Sequence, residues 1–130
     1  MACTKRDASA ALRLLDGGAD PDCVDEDGRS PLYYASYYEE LDGVAGRLIA
    51  VRAKLNLVNK CGWSALTIAC WLKRVAVAMM LVEAGAALNL VNVDGKSALD
   101  WADENGLAGV SSAIRARGGR TAAELKAAGQ

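Results

Sequence analysis

The 130-residue chain predicts an all-α solenoid of stacked helix-turn-helix units carrying β-turn fingers, because two sequence landmarks recur in one phase. Three segments align on themselves: DEDGRSPLYYA from Asp25, NKCGWSALTIA from Asn59 and NVDGKSALDWA from Asn92. Their glycines, Gly28, Gly62 and Gly95, lie 34 and 33 residues apart. A second landmark, GGADPD from Gly17, VRAKLN from Val51, AGAALN from Ala84 and RGGRTA from Arg117, recurs at spacings of 34, 33 and 33. A unit of this length cannot bury its apolar face alone, so neighbouring units must stack.

Each element of the unit has a local cause. The D/N-x-x-G segment is turn chemistry, with glycine supplying a positive φ. Ser30, Ser64 and Ser97 follow at the N-cap position of a helix; Pro31 fits the first helical residue, and Ser97 with Asp100 forms a capping-box variant. That short helix places Leu32 and Ala35, Leu66 and Ala69, and Leu99 and Ala102 on one face. A second helix carries Val44, Leu48 and Ile49, then Val77, Leu81 and Val82, then Val110 and Ile114. Glycine ends it in three of four periods, at Gly18, Gly85 and Gly118, whereas Arg52 holds that position in the other. Thr121 and Glu124 make a capping box for a last helix over Ala122–Ala128. The boundaries that follow are a partial first repeat at 1–24, repeats at 25–58, 59–91 and 92–120, and a capping helix with tail at 121–130. All of them form one domain, 1–130. Only Met1–Arg6 precede the second helix of the first repeat, so either the chain is a fragment or that edge is thinly covered. One extra residue near Glu39-Glu40 should widen the inter-helix turn of the second repeat.

These residues resemble the ankyrin-repeat family. Its pattern D-x-x-G-x-T-P-L-H-x-A…L-L-x-x-G-A-D is met by Gly28-Arg29-Ser30-Pro31-Leu32-Tyr33-Tyr34-Ala35 and by Leu14-Leu15-Asp16-Gly17-Gly18-Ala19-Asp20. The resemblance extends over about 120 of the 130 residues. It implies a binding module with a concave face built from turn tips and the exposed edges of the first helices. Tyr33, Thr67 and Asp100 stand where the family has histidine, so that side chain's bond to the turn is lost or remade. Arg52 stands where the family has a left-handed glycine and should strain or extend its helix end. Arg115 replaces an apolar residue of the Leu-Leu pair, as suits a last repeat with no neighbour on that side.

Composition narrows the chemistry. Fifteen Lys and Arg face sixteen Asp and Glu, a net charge of −1, which lacks the basic excess of a nucleic-acid binder. The chain has no histidine, so imidazole catalysis and imidazole metal sites are excluded. No apolar run approaches the roughly 18–20 residues that span a bilayer, and the N-terminus has no continuous apolar core of a secretory signal. The expected setting is intracellular, by default cytoplasmic, with organelles left open. Cys3, Cys23, Cys61 and Cys70 form no C-x-x-C pair and are expected as free thiols. Asp25, Glu26 and Asp27 are adjacent on a turn tip, and Asp20-Pro21-Asp22…Glu26 lacks calcium-loop spacing. Gly17-Gly18 follows no strand and reads as a helix end, not a phosphate cradle. No enzyme, cofactor, metal or small-molecule substrate is therefore expected.

Function is expected on the surface. Residue by residue, the family's concave face maps to Glu26, Asp27, Arg29, Tyr37 and Tyr38, with Tyr33 at its border. The third repeat adds Lys60, Cys61, Trp63, Trp71 and Leu72, and the fourth adds Val93, Asp94, Lys96, Glu104 and Asn105. Four of the seven aromatic residues lie on it, the types that dominate interface hot spots. Trp63 and Trp71 are expected exposed as anchors, and Tyr34 and Trp101 buried against the next repeat; Tyr37 and Tyr38 cannot both point inward. Arg29, Lys60 and Lys96 would set register. Leu57-Val58 and Leu90-Val91 are expected to pack on the adjacent finger. Charge is partitioned: residues 1–44 carry −6, residues 45–92 carry +5, and residues 93–130 balance. A basic group, Arg47, Arg52, Lys54, Lys73 and Arg74, is expected away from the aromatic face. The partner expected is another protein, or several subunits of an assembly. The chain would serve as adaptor or inhibitor, or alternatively as a constitutive subunit or a fragment of a longer repeat protein.

Overall fold

The structure, a computed structural model, describes residues 21–22, 24, 26–38 and 41–128. The second helix of the first repeat, Gly18, Cys3, Cys23 and the Glu39-Glu40 insertion fall outside the described residues. The described residues form seven helices and no strand: α1 Pro31–Tyr37, α2 Asp42–Ala50, α3 Ala65–Trp71, α4 Val75–Glu83, α5 Ala98–Glu104, α6 Ala108–Ala116 and α7 Ala122–Ala127. Helices α1, α3 and α5 pack side by side in one row; α2, α4 and α6 form a second row behind them.

The row of short helices begins at its serines. Ser30 Oγ accepts from Tyr33 N (3.1 Å) and Ser64 Oγ from Thr67 N (3.2 Å). Ser97 and Asp100 complete the reciprocal capping box. Each such cap contributes about 1 kcal/mol. Leu32, Leu66 and Leu99 are buried, and Ala35, Ala69 and Ala102 are fully enclosed between neighbouring helices, where no larger side chain would leave this spacing. Val44 and Leu48, Val77 and Leu81, and Val110 and Ile114 close the core from the second row, while Ile49 is only half-buried.

Two hydrogen-bonded ladders hold the repeats in register. In the first, the backbone N–H groups of Lys54, Ala87 and Arg120 donate to the side chains of Asp22, Asn56 and Asn89 at 2.7, 2.7 and 2.8 Å. In the second, fingers pair through their backbones: Lys60 N donates to Asp27 O and Val93 N to Cys61 O, both at 2.9 Å. The two later fingers are each tied internally by an asparagine. Asn59 Oδ1 accepts from Cys61 N and Trp63 N, and Asn92 Oδ1 from Asp94 N and Lys96 N. Of the pairs expected to pack on the adjacent finger, Leu57 and Leu90 are half-buried, whereas Val58 and Val91 remain exposed. A Cβ on Gly28 would come within 3.2 Å of Val58 O, and one on Gly62 within 3.1 Å of Asn92 Cα.

The bond made by the family's histidine is remade differently in the two later repeats. Thr67 Oγ1 meets Ser64 Oγ at 3.0 Å, and Asp100 Oδ2 accepts from Ser97 N and from Ala122 N, both at 2.8 Å, while the Tyr33 phenol, which burial pushes up, is held back in part by Arg29 and its neighbour Asn59. The buried Nδ2 of Asn92 has no partner among the described residues. Arg52 keeps the left-handed helix end without glycine, at φ 62°, and Lys73 does the same at φ 61° where the next repeat has Gly106. Thr121 and Glu124 cap α7, whose Arg115 partner sits on α6 with Nη2 3.1 Å from Glu124 Oε1. Cys61 and Cys70 are free thiols, the first exposed and the second buried.

Candidate functional site

The repeat period sets side chains in columns across the row of short helices: Arg29, Trp63 and Lys96 in one, Tyr37, Trp71 and Glu104 in another. Two aromatic clusters result.

The first belongs to α1 and the turn before it. Tyr33 meets Tyr34 edge-on at 5.8 Å and stacks with Tyr37 at 6.5 Å, and Tyr37 meets Tyr38 at 4.9 Å. With Arg29 they line a shallow pocket of about 180 Å³. Arg29 Nη1 donates to the Tyr34 hydroxyl at 3.4 Å, Nη2 lies 3.4 Å from Asp27 Oδ2, and the guanidinium sits 6.0 Å over the Tyr33 ring. The Tyr34 hydrogen bond holds the Arg29 pKa above its ordinary value against partial desolvation. Burial pushes the Tyr33 phenol up, offset in part by Arg29 and Asn59. Tyr37 is exposed and Tyr38 half-buried, as the expectation that both could not point inward requires; Tyr33, placed at the border, is buried.

The second cluster joins two repeats. Trp63 meets Trp71 at 5.2 Å and stacks on Trp101 at 5.5 Å with 25° between planes; Trp71 and Trp101 are 6.3 Å apart. Lys96 Nζ lies 5.1 Å over Trp101 and 2.6 Å from Glu104 Oε1, so its charge is shared between ring and carboxylate. Trp71 is 41% exposed, but Trp63 is half-buried, contrary to its expected exposure, because Trp101 covers one of its faces. Trp101 in turn is only half-buried, not hidden against the next repeat. It stands in the column of Tyr34 and Ile68, and its indole reaches the two tryptophans one period earlier. That column was the signal available in the sequence.

Three further residues position the clusters. Asn105 Nδ2 donates to Cys70 O (2.9 Å) and Trp71 O (3.0 Å), tying the end of α3 that carries Trp71. Arg74 Nη2 donates to Tyr37 O at 3.2 Å, so part of the basic group adjoins the tyrosines, contrary to expectation. Leu72 is half-buried against the core, and Lys60 is exposed at its finger tip. Among the described residues no group of Cys, Asp and Glu could hold a metal ion, and no helix is long and apolar enough to cross a membrane. What the arrangement offers chemically is apolar ring surface bordered by fixed cations.

A family model for ankyrin repeats (3 copies) matches residues 1–92. Comparison with curated proteins gives no match.

Proposed function

Because the chain belongs to the ankyrin-repeat family, whose repeats are generally protein–protein interaction modules and typically not enzymes, we propose that it is a non-catalytic adaptor or inhibitor that grips a folded partner with the aromatic face. The observation that supports this most is the tryptophan cluster, which leaves Trp71 41% exposed. Indole surface of that extent is what hot spots are made of, each worth about 2 kcal/mol or more when truncated. Trp71 and Trp63 anchor the partner, Tyr37 and Tyr38 flank them with Tyr33 and Leu72 beneath, and Arg29, Lys60 and Lys96 fix its register through charge. An interface of ordinary size buries on the order of 800 Å² on each side.

Affinity capture on the wild-type chain, followed by titration of the captured protein, tests this reading. Trp71→Ala and Trp63→Ala, matched to wild type by circular dichroism, should each weaken binding by about thirtyfold. A partner bound equally by both variants would end the reading. A constitutive subunit role is favoured by a different observation, the exposed valines Val58, Val91 and Val93, the last 70% exposed. That role requires the isolated chain to self-associate or precipitate, which light scattering reads directly.

A further inference from the structure

The side-chain ladder fixes where each repeat stands, and it exposes a gap. Nine residues lie between Lys54 and the N-cap Ser64 and between Ala87 and the N-cap Ser97, whereas Thr121, the N-cap of α7, directly follows Arg120. Helix α7 is therefore the first helix of a repeat whose nine-residue finger is missing. Its loop is nevertheless tied as in the other repeats, Asn89 Oδ1 accepting from Arg120 N, and Ser97 Oγ adds a bond to Arg120 O at 2.9 Å.

The place of that finger is an open groove of about 810 Å³, walled on one side by Val91 and Gly95 and on the other by Ala122, Ala123, Leu125 and Lys126 of α7. Its finger-side wall is the same surface that the chain covers twice elsewhere. Asp27 O and Cys61 O each accept a backbone N–H from the next finger, while Asp94 O, next in that series, accepts none among the described residues. A Cβ on Gly28 or Gly62 would meet the following finger, but one on Gly95 would meet nothing within 4 Å. The Asp94 carboxylate is exposed without an ion-pair partner among the described residues, whereas the finger laid against Asp27 carries Lys60 at its second turn position. The chain's two docked fingers show what fits: Asn first and glycine fourth, with Lys60 second where the finger below presents Asp27 and Val93 second where it presents Cys61, so that Asp94 calls for a basic second residue.

We propose that the groove between the Gly95 finger and α7 is a docking site for an Asx-basic-x-Gly β-turn on a partner protein, which pairs its second-position N–H with Asp94 O and continues the row of fingers. This adds a strand-like edge contact of the β-augmentation kind at the end of a helical stack. The site shares no lining residue with the aromatic face, so the two readings stand or fall separately.

The probe is a backbone-cyclised peptide with the sequence of residues 55–64, carrying Cys61→Ser, titrated into the 15N-labelled chain. Saturable shifts are expected at Val91, Gly95, Ala122, Ala123 and Leu125, and not at Trp63 or Trp71. Ala123→Arg, at an exposed position of α7, should raise Kd by about tenfold or more with an unchanged melting temperature, and Trp71→Ala should leave Kd unaltered. Lys60→Glu in the peptide should weaken it. In a second arm, residues 55–63 are inserted between Arg120 and Thr121; the melting temperature should rise and peptide binding should vanish. No saturable shift up to about 5 mM peptide, shifts outside the groove, or indifference to Ala123→Arg overturns the proposal. Concentration-dependent shifts of the chain alone at the same residues, removed by Ala123→Arg, would assign the groove to a second copy and likewise overturn it.

Discussion

Arg52 and Lys73 hold left-handed backbone, φ 62° and 61°, at places where the aligned repeats use Gly85, Gly118 and Gly106. The hydrogen bonds that end the helix survive: Arg52 N donates to Ile49 O at 3.0 Å, as Gly85 N does to Val82 O at 3.2 Å. The conformation is thus imposed by the surrounding turn, and the Cβ crowds its own carbonyl at a cost of roughly 1–2 kcal/mol per residue. Arg52→Gly and Lys73→Gly should each stabilise the chain by about 0.5–1 kcal/mol, the larger entropy of the unfolded glycine taking back part of the gain. Thermal denaturation should show an increase of roughly 2–5 °C for each. A decrease would mean that these side chains make contacts worth more than the backbone strain.

At the scale of the element, α7 is held by charge and caps and not by burial, since none of its residues is buried. Glu124 accepts from Thr121 and pairs with Arg115, which also lies 4.0 Å from Asp103. The Arg115 hydrogen bond, then the Thr121 backbone and hydroxyl, lower the Glu124 pKa from 4.5 to about 2. A carboxylate with a depressed folded pKa stabilises the docked helix fully above pH 4.5, and that contribution is lost as pH falls from there through about 2. Amide exchange over Ala122–Ala127 should accelerate across that window while α3 and α4 stay protected. Glu124→Gln should loosen α7 at neutral pH and remove its pH dependence, and high salt should mimic it. A helix α7 indifferent to both would show that the Asp100 bond to Ala122 N carries the docking.

At the scale of the molecule, stability in a stack is set by neighbours. Helices α3 and α4 have a partner on both sides of their row, whereas α7 packs closely against no other helix. Hydrogen exchange should therefore be slowest in α3 and α4 and fastest in α7. Burial pushes the Cys70 thiol in α3 up to about 12, so at neutral pH it is neither accessible nor ionised. Cys61, exposed on its finger, should react with a maleimide in the native state, and Cys70 only on opening of the central repeat. Leu81→Ala, at a fully buried site in α4, should cost about 2–5 kcal/mol and bring Cys70 labelling forward. Equal labelling of both thiols in the native chain would contradict the enclosed centre.

The amino-acid sequence by itself determined the architecture, because every cue was local and repeated: serine at each N-cap, leucine and alanine on one helical face, glycine in each turn, all at one period. The Thr121–Glu124 box and the exposure of Trp71 followed from the same short-range rules, as did the outward turn of one of the pair Tyr37 and Tyr38. Only the tertiary structure decided how side chains from different repeats meet. Trp101 covers Trp63, Asn105 reaches back to the end of α3, and Arg74 reaches Tyr37 across 37 positions, because stacking converts a period of 33 or 34 residues into direct contact. The empty edge at Gly95 was decided there too: a turn glycine reads the same in all three fingers, and whether another finger lies against it depends on what the chain places next to it in space.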